Sequence, residues 1–140
     1  MRFMMLMLPG GELQETGDWG PPPAEAVGQM TKYNEELTKA GVLLALDGLQ
    51  PPSKGARISF ADGAKKITDG PFAEAKEIVG GYWVIDVKSK EEAVEWASRC
   101  PGGEGDVVEV RQVYEMSDFP DDVQAAAELS EAPPEQTQSS

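Results

Sequence analysis

The side chains able to move protons or hold charge in this chain are carboxylates, lysines, arginines and tyrosines, because histidine is absent and cysteine occurs once. Those two counts exclude Ser-His-Asp and Cys-His catalysis, a His-ligated metal, and a cysteine cluster for zinc within one chain. The single cysteine also forbids an internal disulfide, which fits a reducing compartment. The densest group of candidates is Asp69-Gly70-Pro71-Phe72, with Glu74, Lys76 and Glu77 directly after it. A structural corner accounts for the first four: Asp starts a turn through its side chain, Gly frees the backbone, Pro fixes φ and Phe fills the core. Gly70 is pushed toward extended geometry by the proline that follows. The same residues support a functional reading. Asp69 would point into a cleft as acid, base or ligand anchor, since a chain without histidine must use carboxylate, Lys, Tyr or Arg for proton transfer. The charges that follow are either a solvated loop or a polar rim in which Lys76 draws an anionic ligand to an otherwise acidic protein.

Glu109 and Arg111 sit two apart, so a strand places them on one face. They are either a salt-bridge pair on an exposed or interfacial face or, if that face lines a cavity, its charged ligands. Tyr33 and Tyr82 read as core or interface rings whose hydroxyls could reach a polar group in a pocket. Cys100 falls on the buried stripe of a helix, which makes it an inert core thiol. Gly10-Gly11 is no phosphate loop, because neither a helix N-terminus nor a P-loop lysine follows. Four of the six methionines lie within the first seven positions, where a central strand uses them for packing.

The elements that must carry these residues follow from apolar spacing. Arg2 to Leu8 is a short apolar run closed by Pro9-Gly10-Gly11, a central strand buried on both faces. A Gly- and Pro-rich loop runs from Gly10 to Pro23. Pro21-Pro22-Pro23 then launches a helix, with Ala26, Met30, Tyr33, Leu37 and Ala40 as its buried stripe and Gly41 as its C-cap. Val42 to Leu46 is a second strand. Ala56–Ala61 and Ala64–Thr68 flank Asp62-Gly63, which predicts a β-hairpin with a type I′ turn. Val79 to Val87 is a strand, with Gly80-Gly81 at its start marking a bulge or a close backbone approach. Ser89 and Glu92 form a capping box. The helix they open buries Ala93, Trp96, Ala97 and Cys100 and stops at Pro101-Gly102-Gly103. Val107 to Tyr114 is the last strand, and Asp121 to Leu129 a possible short helix by composition.

This order, β-α-β, a hairpin, then β-α-β, predicts an α+β fold: a ferredoxin-like plait, or split βαβ, with an inserted β-hairpin. Helices near residues 23–40 and 89–100 should cover one face of an antiparallel sheet. The other face also carries large apolar groups beside Glu109 and Arg111. A symmetric dimer packing sheet on sheet would cover it, with an interface above ~1,000 Å².

The net charge of −13 is concentrated late in the chain, where seven acids and no base follow from Glu115 onward. An acidic body with an acidic tail repels phosphate backbones and offers no basic surface to anionic lipid, so no nucleic-acid or membrane partner is expected. The run from Phe3 to Leu8 is too short to span a bilayer and lacks a signal peptide's cleavage site. A soluble cytoplasmic protein is the expectation. The domain should occupy residues 1–115 and an acidic tail residues 116–140, with the final ~10 residues disordered by composition.

The run from Thr68 to Glu77, followed by Gly80-Gly81-Tyr82, closely resembles the DGPF signature of the YCII-related family. Tyr33-Asn34-Glu35-Glu36-Leu37 with Ala40-Gly41 is similar to that family's first helix. Gly48-Leu49-Gln50-Pro51 is similar to its second-strand exit, and Val108-Glu109-Val110-Arg111 to its last strand. The resemblance covers roughly residues 1–115. It implies a dimeric α/β barrel of ferredoxin-like protomers and no assigned reaction; no cofactor is expected. From the residues themselves, a ligand site is expected at Tyr33, Asp69, Gly70, Pro71, Phe72, Lys76, Tyr82, Glu109 and Arg111. The His–Asp pair of related YCII proteins cannot carry over, because this chain has no histidine. A link of some DGPF proteins to extracytoplasmic-function sigma factors implies a regulatory role and such a partner. The expected function is a homodimer that binds a small molecule or helps regulate transcription. The alternative is a small cofactor-free isomerase or lyase with Asp69 as its acid–base group.

Overall fold

The N-terminal apolar run becomes β1 (Arg2–Leu8) and takes a central place in a four-stranded sheet. The computed structural model describes residues 1–71 and 77–128. After β1 come α1 (Glu12–Thr16), α2 (Ala24–Lys39), β2 (Leu43–Gly48), β3 (Ala56–Ala61) and β4 (Ala64–Asp69). Then follow β5 (Gly81–Asp86), α3 (Lys90–Ser98), β6 (Val107–Gln112) and α4 (Asp121–Glu128). The main sheet has the order β2-β5-β1-β6, and every pairing in it is antiparallel. β5 therefore lies between β1 and β2, and β1 lies between β5 and β6. Each β-α-β unit is split by a strand of the other, the arrangement expected from the element order. β3 and β4 form a separate two-stranded sheet.

Register decides which side chains meet the helices. Phe3 lies opposite Ile85, and Met5 lies opposite both Trp83 and Val110. Phe3, Met5, Trp83, Ile85 and Val87 share one core with Tyr33 and Leu37 of α2 and Ala93 of α3. Both long helices therefore cover the same sheet face. Within α2 the buried stripe is Tyr33 and Leu37 with half-buried Met30, whereas Ala26 and Ala40 are exposed. A methyl group gains little from burial, so nothing draws the helix ends onto the sheet.

Local signals act largely as their chemistry dictates. α2 ends in a Schellman turn: Gly41, at φ 73, donates to the Thr38 carbonyl and Val42 donates to the Leu37 carbonyl. Ser89 Oγ accepts from the Glu92 amide at 3.2 Å, but the Glu92 carboxylate accepts from the Lys88 amide, not that of Ser89. The capping box is thus half formed. Asp62 and Gly63, at φ 51 and 75, make the turn expected at the hairpin tip. The loop expected from Gly10 to Pro23 contains the five-residue helix α1. One such helix is less than two turns, too short for apolar periodicity to declare itself. Leu129 and the final residues expected to be disordered lie outside the described residues. Among the described residues, no helix is long and apolar enough to cross a membrane.

Tyr33 illustrates how the core is tied. Its ring meets Trp83 edge-on at 5.7 Å between centroids, and its hydroxyl donates to the Trp96 carbonyl at 2.6 Å. The residue is 3% exposed. Tyr33→Phe keeps the ring and leaves that carbonyl with the Arg99 amide, at 3.1 Å, as its remaining donor, so it is expected to lower stability by about 0.5–1.5 kcal/mol in urea unfolding. A loss well under this range would mean that water replaces the hydroxyl.

Candidate functional site

The helix-free face of the main sheet is built from the even-numbered positions of β1 and β5. Two rows of side chains cross it. One runs Asp47, Tyr82, Leu6, Glu109, and the next runs Ala45, Val84, Met4, Arg111. Their centre is apolar, with Met4, Leu6 and Val84 half-buried, and their flanks are polar. On one flank the Tyr82 hydroxyl donates to Asp47 Oδ2 at 2.6 Å. On the other, Arg111 and Glu109 form an ion pair at 3.3 Å. Arg2 closes one end by gripping Glu115 through two hydrogen bonds of 2.7 and 3.1 Å. Those bonds hold the Glu115 carboxyl below its usual range. Among the described residues, nothing covers this face.

Asp47 accepts the Tyr82 hydrogen bond, and its negative charge opposes the phenolate, so the Tyr82 phenol is raised above its ordinary value. The folded chain favours the protonated form. This contribution to stability is present below the unfolded value, about 10, and is lost as pH rises through the higher folded value. Following phenolate absorbance with pH, Asp47→Asn is expected to move the Tyr82 transition down toward its ordinary value. Subtraction of a Tyr82→Phe titration identifies that transition. A transition that Asp47→Asn leaves in place would break the link between the two residues. Burial raises the Tyr33 phenol as well.

The DGPF corner stands apart from this face. Asp69 is exposed, ends β4 and lies opposite Ala56 in the two-stranded sheet. Gly70 donates its amide to the Gly55 carbonyl at 3.0 Å, and the Gly70–Pro71 peptide is cis. Pro71 packs toward Gly17, which also faces Pro52 and Ile78. The Gln14 side chain both donates to and accepts from the Ile78 backbone at 3.0 Å, and Ser53 donates to Asp18. α1 and its exit thus clasp the corner, a role for Gln14 and Asp18 that only long-range pairing exposes. Phe72 and Lys76, with Glu74, lie outside the described residues.

Of the residues singled out in the sequence, the structure brings Tyr82, Glu109 and Arg111 to one face. Tyr33 lies on the opposite, helix-covered side. Asp69, Gly70 and Pro71 belong to the hairpin base. Asp47 joins the group although its Asp-Gly context reads as a strand end; only the β2–β5 register sets it beside Tyr82. Cys100 lines a cleft of about 480 Å³ between α3 and β6 with Ala97, Asp106 and Val108. Burial, and next the charge of Asp106, push its thiol up to about 11, so it stays protonated and unreactive near neutrality. Asp106 itself is engaged in holding the Gly10 and Gly103 amides at 2.9 and 2.8 Å. Among the described residues, no group of three acids or cysteines could hold a metal ion.

The sequence profile of the YCII-related domain matches residues 1–117. The chain belongs to the YCII-related family. An uncharacterised protein of Rhizobium meliloti (strain 1021) is 31% identical over 83 residues, which are 59% of this chain and 67% of that protein. The profile takes in this YCII-related chain from β1 into the 3-10 turn at Met116–Asp118. It therefore spans the main sheet, the hairpin and the clasped corner, and stops short of α4.

Proposed function

We propose that this YCII-related protein acts as a homodimer of ferredoxin-like protomers, joined sheet to sheet as a dimeric α/β barrel, that holds a small molecule on its helix-free face. The observation that carries this reading is the pairing of Tyr82 with Asp47 and of Arg111 with Glu109 on either side of the strip formed by Met4, Leu6 and Val84. An apolar floor with a few fixed polar groups is the composition of a small-ligand site. Arg111 suits an anionic group and Tyr82 a carbonyl or hydroxyl, so small hydroxy- and keto-carboxylates are the class to test. Half-buried apolar side chains on an open sheet support a partner sheet above them.

A thermal-shift screen of such acids tests the reading. A ligand at 100 times its dissociation constant stabilises the folded state by about 2.7 kcal/mol. A hit is expected to lose its shift in Tyr82→Phe and in Arg111→Ala. Failure of every acid to move the wild-type melting temperature, or shifts that both variants retain, would overturn it. For assembly, sedimentation is expected to give a dimer that Val84→Arg converts to a monomer.

A further inference from the structure

The hairpin of β3 and β4 has every residue of both strands exposed. Its two faces differ in chemistry. Register places Ile58 opposite Ile67 and Phe60 opposite Lys65 on one face, and Arg57 opposite Thr68 and Ser59 opposite Lys66 on the other. The first alternates as a strand that packs one side on something apolar, yet Phe60 is 74% and Ile67 72% exposed. A lone two-stranded hairpin is marginal in water, and three large apolar groups on one of its faces add to that cost.

Charge says what should meet it. Residues 54–69 hold four bases, Lys54, Arg57, Lys65 and Lys66, against two acids, Asp62 and Asp69. The remainder of the chain holds 23 acids and eight bases. The hairpin is thus the basic segment of an acidic protein, and another copy of the same chain is its complement. Of the base-free stretches, the one from Tyr114 to Val123 joins a dense run of acids to the most exposed apolar side chain described outside the hairpin: Tyr114 is 72%, Val123 41% and Met116 38% exposed, beside Asp118, Asp121 and Asp122.

We propose that the β3–β4 hairpin is an exchanged arm, which lays Ile58, Phe60 and Ile67 on the Tyr114–Val123 segment of a second copy while Lys65, on that same face, meets its Asp121 and Asp122. Two-fold symmetry lets each copy give an arm and receive one. The inference rests on the homodimer reading above and deepens it. It also ties Asp69, at the arm's base, to an interface instead of a cleft within one protomer.

Hydrogen exchange on the full chain, at concentrations below and above dimerisation, tests the arm, with sedimentation alongside. The amides of residues 57–68 are expected to slow at least tenfold on dimerisation. Phe60→Asp, at an exposed position that folding does not need, should remove that slowing and weaken the dimer at least tenfold. Lys65→Glu should do the same, as should Asp121→Lys with Asp122→Lys, and the two changes combined should restore part of it. A dimer whose hairpin exchange is independent of concentration, or a charge swap that restores nothing, would overturn the arm and leave the sheet-to-sheet reading standing. A dimer that survives Val84→Arg but is lost in Phe60→Asp would support the arm and overturn the sheet packing. A chain that stays monomeric at every concentration would overturn both.

Discussion

Phe3→Ala is expected to cost about 3–5 kcal/mol of folding stability, the range for truncating a buried aromatic ring. Phe3 is 2% exposed and stands on the strand that both β5 and β6 pair with. Its ring belongs to the same core as Leu37, Ile85 and Val87, so its loss opens a cavity where helix and sheet meet. Single domains have only about 5–15 kcal/mol in total, and this deletion removes a large part of it. Urea unfolding of wild type and variant gives the number directly. A loss under about 1 kcal/mol would mean that the core closes around the missing ring and that β1 is not the mechanical centre of the sheet.

How far the sequence could be read depended on the range of the forces involved. Strands and helices declare themselves over a few neighbours: the Asp62-Gly63 turn, the Gly41 cap and the spacing of Met30, Tyr33 and Leu37 are local, and each forms as its residues dictate. Membership of the YCII-related family was legible for the same reason, in the contiguous run after Thr68. The site is different. Tyr82 and Asp47 are 35 residues apart and meet only because β2 pairs with β5 across a bulge between Leu43 and Ala45. No local pattern marks Asp47 as more than a turn residue. Likewise Gln14 sits in a helix too short to show a stripe, and its two bonds to Ile78 span 64 positions. Tyr33 and Tyr82 both read as core or interface rings; the buried stripe of α2 sends the first into the core, and the pleat of β5 sends the second to the helix-free face.

Gly70→Ala should be the most damaging single-methyl change at the DGPF corner. A Cβ built on Gly70 would run into the Pro52 carbonyl oxygen, with the carbonyl carbon at 2.6 Å and the Ser53 amide nitrogen at 3.2 Å. All three atoms are backbone, so no rotamer change relieves the contact, and the Pro52–Lys54 turn or the end of β4 must move. Overpacking a site of this kind costs about 1–3 kcal/mol and occasionally more; here the upper end is expected, because the shift also pulls on the Gly70 amide's bond to Gly55 and on the Pro71 contact with Gly17. Gly11→Ala is the comparison, since a Cβ there meets nothing within 4 Å, although its φ of 62 carries a strain of its own. Urea unfolding of both variants, read with exchange at the Gly70 amide, separates a steric clash from loss of backbone freedom. If Gly70→Ala unfolds at the wild-type midpoint, the corner is not a close backbone crossing. The glycine in its signature would then have to be explained by what approaches it from outside the protomer.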